Sequence, residues 1–201
     1  MIPALKTYKI PLVMPKNVFG LVGPIASGKG TVAGFLKERG YSVYSLSDRI
    51  REEITKRGLE ITRDTLNEVS NELRGTLGSD ILAKRTSELI EKDNPDLVVV
   101  DAIRNPAEVS YIKNTFGAKI IGVVADQQRR FDFFKNRGTN KAGVSTWEEF
   151  KDLDDRELSQ AGSYRQQVKA CLELADTIIE NNGTIADLKL KVEEVIGKLS
   201  S

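Results

Sequence analysis

The sequence predicts an α/β protein built on a doubly wound parallel sheet of about five strands. Three observations carry that prediction. The apolar run Val18-Phe19-Gly20-Leu21-Val22 breaks into the turn Gly23-Pro24-Ile25-Ala26-Ser27-Gly28 and then into a helical pattern from Lys29. Leu97-Val98-Val99-Val100 has no polar interruption, as expected of a central strand buried on both faces. Strand patterns alternate with helical ones to the end of the chain, the rhythm of strand–helix–strand crossovers.

Residues 1–16 carry Pro3, Pro11 and Pro15 without a clear period and read as an extension ahead of one domain over 17–201. The first strand, about 18–22, leads through the glycine turn into a helix over about 29–38, with Val32, Phe35 and Leu36 on one face and Gly40 closing it. Tyr41 to Leu46 is a second strand by its β-branched and aromatic content. Ser47 or Asp48 can cap the helix that follows.

Residues 62–77 and 79–92 read as two further helices. Leu66, Val69, Leu73 and Leu77 form one apolar stripe, and Ile81, Leu82, Leu89 and Ile90 contribute to another. Three helices between consecutive strands exceed what a crossover needs, so the segment from about 47 to 92 is expected to cap a site. The third strand ends at Asp101, and Asn105-Pro106-Ala107-Glu108 is a helix start with a capping box. Lys119 to Val124 is the fourth strand.

The next helix, about 126–137, carries Arg129, Arg130, Lys135 and Arg137. A polar segment over 138–145 precedes a second capping box at Thr146-Trp147-Glu148-Glu149, and the helix it starts holds Asp152, Asp154, Asp155 and Arg156. Two such helices suit a lid, about 130–165, that closes over phosphates and excludes water. Tyr164 to Gln167 opens a helix expected to bury Val168, Leu172 and Leu174. Thr177 to Glu180 is the last strand, and Asn181-Asn182-Gly183-Thr184 turns into a closing helix over 185–199.

Composition narrows the function. The chain has 201 residues, 40% hydrophobic and 29% charged, which suits a globular protein. No apolar run approaches the roughly 20 residues needed to span a membrane, and Lys6, Lys9 and Lys16 flank no apolar signal core. The net charge is +1 and no dense basic stripe stands out, so nucleic acid is not an expected partner. Cys171 is the single cysteine, which excludes an intramolecular disulfide and points to a reducing cytoplasm and a core role. There is no histidine, which removes His-based triads, His metal sites and a histidine base. Phosphoryl transfer survives that exclusion, because it needs positioning, cations and at most a carboxylate.

Gly23, Gly28 and Lys29 have the spacing of a phosphate-binding loop. Glycines let the backbone aim its N–H groups at one point, and the following helix adds the positive end of its dipole. The candidate nucleotide contacts are therefore Gly23, Ile25, Ala26, Ser27, Gly28, Lys29, Gly30 and Thr31. Ser or Thr commonly follows the lysine to ligate Mg2+. Here that place is Gly30, and the hydroxyl comes one residue later at Thr31.

Asp48 and Arg51 share one face of a helix opening at the carboxyl edge of the sheet, where such folds bind ligands; a capping residue and a solvated arginine are the plainer alternative. Asp101 ends a buried strand, a position from which nucleotide enzymes hold Mg2+ or its waters; a structural turn residue is the alternative. Arg104 follows closely enough to point into the same cleft.

The Gly28-Lys29-Gly30-Thr31 ending resembles the nucleoside monophosphate kinases, such as adenylate kinase. That resemblance makes Thr31 a phosphate contact, with Mg2+ held mainly by phosphates and water and a direct bond to the Thr31 hydroxyl left open. From about Val18 to Leu199 the chain resembles the nucleoside monophosphate kinase and dephospho-CoA kinase group of phosphate-loop kinases, whose sheet runs in the order 2-3-1-4-5. The resemblance implies that Arg51 and Arg104 clamp the acceptor's phosphate and that Asp101 binds Mg2+ through water. It matches Arg130, Arg137 and Arg156 to lid arginines and places Asn182 and Gly183 beside the adenine of ATP. In dephospho-CoA kinase, the position of Asp48 takes the proton of a hydroxyl acceptor.

Ser47-Asp48-x-x-Arg51-Glu52-Glu53, Asp101-x-Ile103-Arg104-Asn105-Pro106-x-Glu108-Val109 and Tyr164-x-Gln166-Gln167-Val168 resemble a branch of kinase-like domains found alone or joined to deoxycytidylate-deaminase-like domains. The resemblance thus implies ATP, Mg2+ and a small-molecule nucleotide acceptor, with the γ-phosphoryl group passing to a nucleoside or deoxynucleoside monophosphate. A hydroxyl acceptor, or a nucleotide-binding regulatory module that hydrolyses ATP slowly, are the alternatives.

Overall fold

The computed structural model describes residues 14–136, 144–158 and 162–199. Five strands, β1 (Asn17–Val22), β2 (Ser42–Ser45), β3 (Leu97–Asp101), β4 (Lys119–Val124) and β5 (Thr177–Glu180), form one parallel sheet. Their order is β2-β3-β1-β4-β5, which the kinase resemblance implies. Nine helices lie among the described residues: α1 (Lys29–Glu38), α2 (Leu46–Lys56), α3 (Arg63–Leu77), α4 (Ile81–Asp93), α5 (Pro106–Phe116), α6 (Gln127–Asn136), α7 (Trp147–Leu158), α8 (Val168–Glu173) and α9 (Ile185–Leu199).

The two-residue period of a strand sorts the core into two layers. Val18, Val22, Val98, Val100 and Ile120 pack on one face with residues of α2, α3, α4 and α5. Phe19, Leu21, Val99, Ile121 and Val123 pack on the other face with α1 and α9. A sheet buried on both sides needs apolar side chains at every position, so the valine run of β3 is uninterrupted.

Because the strands are parallel, every loop leaving a carboxyl end falls along one edge. Ser45 pairs with Asp101 in the register of β2 and β3, so the ends of these two strands lie side by side. The capping boxes at Asn105–Glu108 and Thr146–Glu149 form as expected, and Thr62–Thr65 makes another.

Two details differ from the expectation. Ser45, not Ser47 or Asp48, is the N-cap of α2, and it makes no side-chain capping bond; Ser47 and Asp48 both contact Arg51 instead. The helix after Gln167 has a single productive face, so Val168 is buried while Leu174, at its C-cap, is 39% exposed. Cys171 on that helix is buried, and burial followed by the Glu108 charge pushes its thiol pKa up, which keeps it protonated and inert.

Phe19 is 0% exposed at the centre of the sheet. Phe19→Ala is expected to cost about 3–5 kcal/mol in urea unfolding, because the sheet cannot collapse into the void. A loss below about 1 kcal/mol would contradict the described core.

Candidate active site

The turn after β1 is shaped by its glycines and its lysine. Gly23 has φ +148°, and a Cβ there would lie 2.1 Å from the Val123 carbonyl oxygen. Gly28 has φ +104°, and a Cβ there would lie 2.4 Å from Asn181 Nδ2. Neither position tolerates a side chain without moving its neighbour. Between them Ala26 is held at φ 57°, a left-handed conformation that non-glycine residues rarely take. Lys29 Nζ donates to the Gly23 and Pro24 carbonyls at 2.7 and 2.8 Å, so the ammonium spans the turn.

The loop is also fixed from the far end of the chain. The buried Asn181 donates from Nδ2 to the Ser27 carbonyl at 3.0 Å. Ile25 to Gly30 line a cavity of about 330 Å³ whose other wall is Ser45, Ser47, Arg51, Asp101, Ala102 and Arg104. Two buried oxygens here, Ser27 Oγ and Asp101 Oδ1, have no hydrogen-bond partner. Ala102, just after Asp101, is also left-handed at φ 62°. Backbone strain thus sits on both sides of the same cavity.

A second cavity of about 130 Å³ continues from the first and shares Ser47, Arg51, Ala102 and Arg104 with it. It adds Arg63 and Arg74 from α3, so four arginines contribute to its wall. Arg51 Nη1 donates to Ser47 Oγ at 2.8 Å and reaches Asp48 at 3.4 Å. Arg74 is 3% exposed and pairs with the buried Glu108, its Nε 2.8 Å from Oε1, while its Nη1 has no partner. The other Glu108 oxygen accepts the backbone N–H groups of Arg104 and Asn105 at 2.9 and 3.1 Å. The capping glutamate read from the sequence therefore also neutralises a buried arginine.

Glu157, from α7, is 4% exposed and bridges two arginines. One oxygen takes Arg104 Nη1 at 3.0 Å and the other takes Arg63 Nη2. Burial works to raise its pKa, but Arg104 and Arg63, with Lys29, outweigh that and hold it below the usual carboxylate range. Arg104 Nη1 also donates to Gln166 Oε1 at 2.9 Å, and Gln166 donates in turn to Asn67 at 3.0 Å.

On the opposite side of the loop lies a third cavity of about 410 Å³, lined by Gly28, Thr31, Arg129, Phe133, Asn181 and Gly183 among others. The Arg129 guanidinium lies 5.1 Å from the Phe133 ring centroid and donates to the Gly183 carbonyl. Thr31 faces this cavity rather than the one that Asp101 lines. Asn182 is exposed and braces the end of β4 by accepting from the Asp126 N–H at 2.9 Å and donating to its carboxylate at 3.1 Å. Its neighbour Asn181 holds the loop.

The arginines expected to line a lid divide three ways. Arg130 is 5% exposed, and its guanidinium is taken up inside the protein. Its Nη2 donates to Asp154 at 2.6 Å, its Nε to the Ala125 carbonyl at 3.0 Å and its Nη1 to the Ile25 carbonyl at 3.2 Å. It therefore ties α7 to the phosphate loop. Arg156 is exposed and donates to the Asp152 carbonyl of its own helix at 3.1 Å. Arg137 lies outside the described residues.

Sequence reading missed Arg63, Arg74, Glu157, Gln166 and Asn181. One signal for the first two was present: residues 63, 67, 70 and 74 share one face of α3, and Arg63, Asn67, Ser70 and Arg74 make it a polar row beside an apolar stripe. Among the described residues, no group of three or more His, Cys, Asp or Glu could hold a metal ion. A cation here would depend on phosphates and water, with Asp101 as the protein carboxylate.

Comparisons with known proteins identify the family and the fold. A family model described as an AAA domain matches residues 22–151. A UPF0200 protein of Pyrococcus horikoshii is 34% identical over 186 residues, which cover 90% of this chain and 96% of that protein. This chain belongs to the UPF0200 family. A UPF0200/UPF0201 protein of Archaeoglobus fulgidus is 36% identical over 195 residues, and the match spans 94% of this chain but only 58% of that longer relative. A shikimate kinase from Acinetobacter baumannii in complex with shikimate superposes with a TM-score of 0.54 at 19% identity, covering 94% of this chain and 96% of that one. A dephospho-CoA kinase from Campylobacter jejuni gives a TM-score of 0.54 at 16% identity, covering 92% and 97%. The UPF0200 chain thus has a P-loop kinase-like fold. No helix among the described residues is long and apolar enough to cross a membrane.

The roles of Arg130 and Arg156 separate by stability. Asp154→Ala leaves the buried Arg130 without its carboxylate and is expected to cost about 3–5 kcal/mol in chemical denaturation. Arg156→Ala is expected to stay within about 0.5 kcal/mol of wild type. Equal costs would mean that Arg130 is not the brace described.

Proposed function

We propose that this chain transfers the γ-phosphoryl group of ATP, with Mg2+, to the phosphate of a nucleoside or deoxynucleoside monophosphate. One observation carries the reading: the cavity at the phosphate loop shares a wall with each of two others of different character. Gly28 belongs to both the loop cavity and the larger cavity under Arg129 and Phe133. Arg51 and Arg104 belong to both the loop cavity and the arginine-walled one. A donor nucleoside, its phosphates and an anionic acceptor fit that sequence of spaces in line.

In this reading Lys29 exchanges its two carbonyl partners for β- and γ-phosphate oxygens, and the loop N–H groups with the α1 dipole hold the rest of the chain of charge. The unpaired Asp101 oxygen suits a water bound to Mg2+, which would neutralise charge on the β- and γ-phosphates. Arg51 and Arg104 clamp the acceptor phosphate, forks that match an oxyanion in more than one direction. The helices from about 47 to 92 form the acceptor cap, and α6 with α7 forms the covering side.

Asp48 is exposed, 3.4 Å from Arg51, and outside the residues lining the arginine-walled cavity. That supports an acceptor that arrives already ionised over a hydroxyl that needs a base.

The test is nucleoside-diphosphate formation across a panel of ribo- and deoxyribonucleoside monophosphates, with shikimate and dephospho-CoA as hydroxyl controls. Turnover is expected with at least one monophosphate, and Lys29→Ala is expected to lower kcat/KM by at least about a hundredfold. Asp48→Asn is expected to cost less than about tenfold; a loss of 10²–10⁴, roughly the contribution of a general base, would favour a hydroxyl acceptor. No turnover with any monophosphate rejects the reading.

A further inference from the structure

Three features of the arginine-walled cavity remain unexplained by phosphoryl transfer as described. Glu157 brings a buried negative charge into a space meant for an anion, and it comes from α7 on the covering side. Its two oxygens lie on two different arginines, Arg104 and Arg63. The guanidiniums nevertheless keep unused donors: Arg63 Nε and the Nη1 of the nearly buried Arg74 have no partner.

A carboxylate offers two oxygens, whereas a phosphate monoester offers three terminal ones with more charge. Glu157 takes Arg63 and Arg104, Gln166 takes Arg104 and Glu108 takes Arg74, yet Arg63 Nε and Arg74 Nη1 stay unserved, and unsatisfied buried donors are costly. The donors left over on the cavity wall therefore suit a phosphate better than the one carboxylate that lines it.

We propose that Arg63, Arg74 and Arg104 form an oxyanion subsite whose place is held by the Glu157 carboxylate, and that the phosphate of the acceptor displaces Glu157 when it binds. This deepens the kinase reading and rests on it for the identity of the ligand as an acceptor. The displacement has a structural reach. Asp154, three residues earlier on the same buried face of α7, pairs with Arg130, which donates to the Ile25 carbonyl of the phosphate loop. Release of Glu157 frees one of two charged attachments of α7 among the described residues, so an occupied acceptor subsite alters the support of the donor loop.

The competing role for Glu157 is positioning, in which it stays and holds Arg63 and Arg104 in place for the acceptor. The two roles predict opposite signs. If Glu157 is a stand-in, part of the intrinsic affinity for phosphate is spent on displacing it, and removing its charge restores that affinity. If it is a positioning residue, removing it weakens binding.

The probe is inorganic phosphate, titrated calorimetrically into the full chain carrying Lys29→Ala, which weakens the competing site in the phosphate loop. Adding Glu157→Gln is expected to tighten phosphate binding by at least about tenfold. Adding Arg63→Gln to that pair is expected to cancel the gain. Unchanged or weaker binding in the Glu157→Gln protein overturns the proposal, and so does a gain that survives Arg63→Gln.

Should Glu157→Gln prevent folding, the Lys29→Ala chain alone still decides. Trp147 is the single tryptophan, at the start of α7 and 5.6 Å from the Phe131 ring. Its emission is expected to shift as phosphate saturates, because α7 loses an attachment; a flat titration overturns the proposal. Neither measurement needs turnover, so a positive phosphate result with a silent monophosphate panel would sink the kinase reading alone.

Discussion

The interaction on which the rest of the structure depends is the Lys29 ammonium bound across its own loop, 2.7 Å from the Gly23 carbonyl and 2.8 Å from the Pro24 carbonyl. It draws a strained turn closed around a single positive charge. Strand β1 delivers the turn, α1 carries the lysine, and the left-handed Ala26 is tolerated because both flanking elements are buried and rigid. The parallel sheet then sets every other polar group relative to that charge, since each strand ends at the same edge. Asp101 comes from β3 on one side, and Arg129 and Arg130 follow β4 on the other.

Buried charge is concentrated around this edge. Arg74 with Glu108, Arg130 with Asp154, and Glu157 with Arg63 and Arg104 all bound or brace the cleft. Such pairs are poor investments in stability, because desolvation offsets much of the attraction. Their placement makes sense as specification of geometry. Each fixes a guanidinium whose direction would otherwise be one of many rotamers, and two of them depend on a single helix, α7, which joins the two ends of the cleft.

The parts of this site that were legible in the sequence are those written in consecutive residues. The turn from Val22 to Lys29 is one, because strand, glycine spacing and helix start are contiguous. The Asn105–Glu108 capping box and the valine run ending in Asp101 are others. What was illegible depends on pairs far apart in the chain. Glu157 meets Arg63 across 94 residues and Arg104 across 53, and no periodicity announces an ion pair. The resemblance matches Arg130 to a lid arginine but carries no sign of its bond to Asp154, 24 residues on. Ser47 and Asp48 looked like caps because both types cap helices well, but Arg51 one turn later competes for them.

The bond from Asn181 to the Ser27 carbonyl spans 154 of the 201 residues. The loop is encoded at residues 23–29, and the residue that holds it is added to the chain 154 positions after the one it grips. A growing chain therefore displays every glycine and the lysine of its nucleotide motif while lacking the strut that shapes them. The turn is braced only once β5 has been made and has joined the sheet, so its final shape waits on chain far downstream of the motif itself.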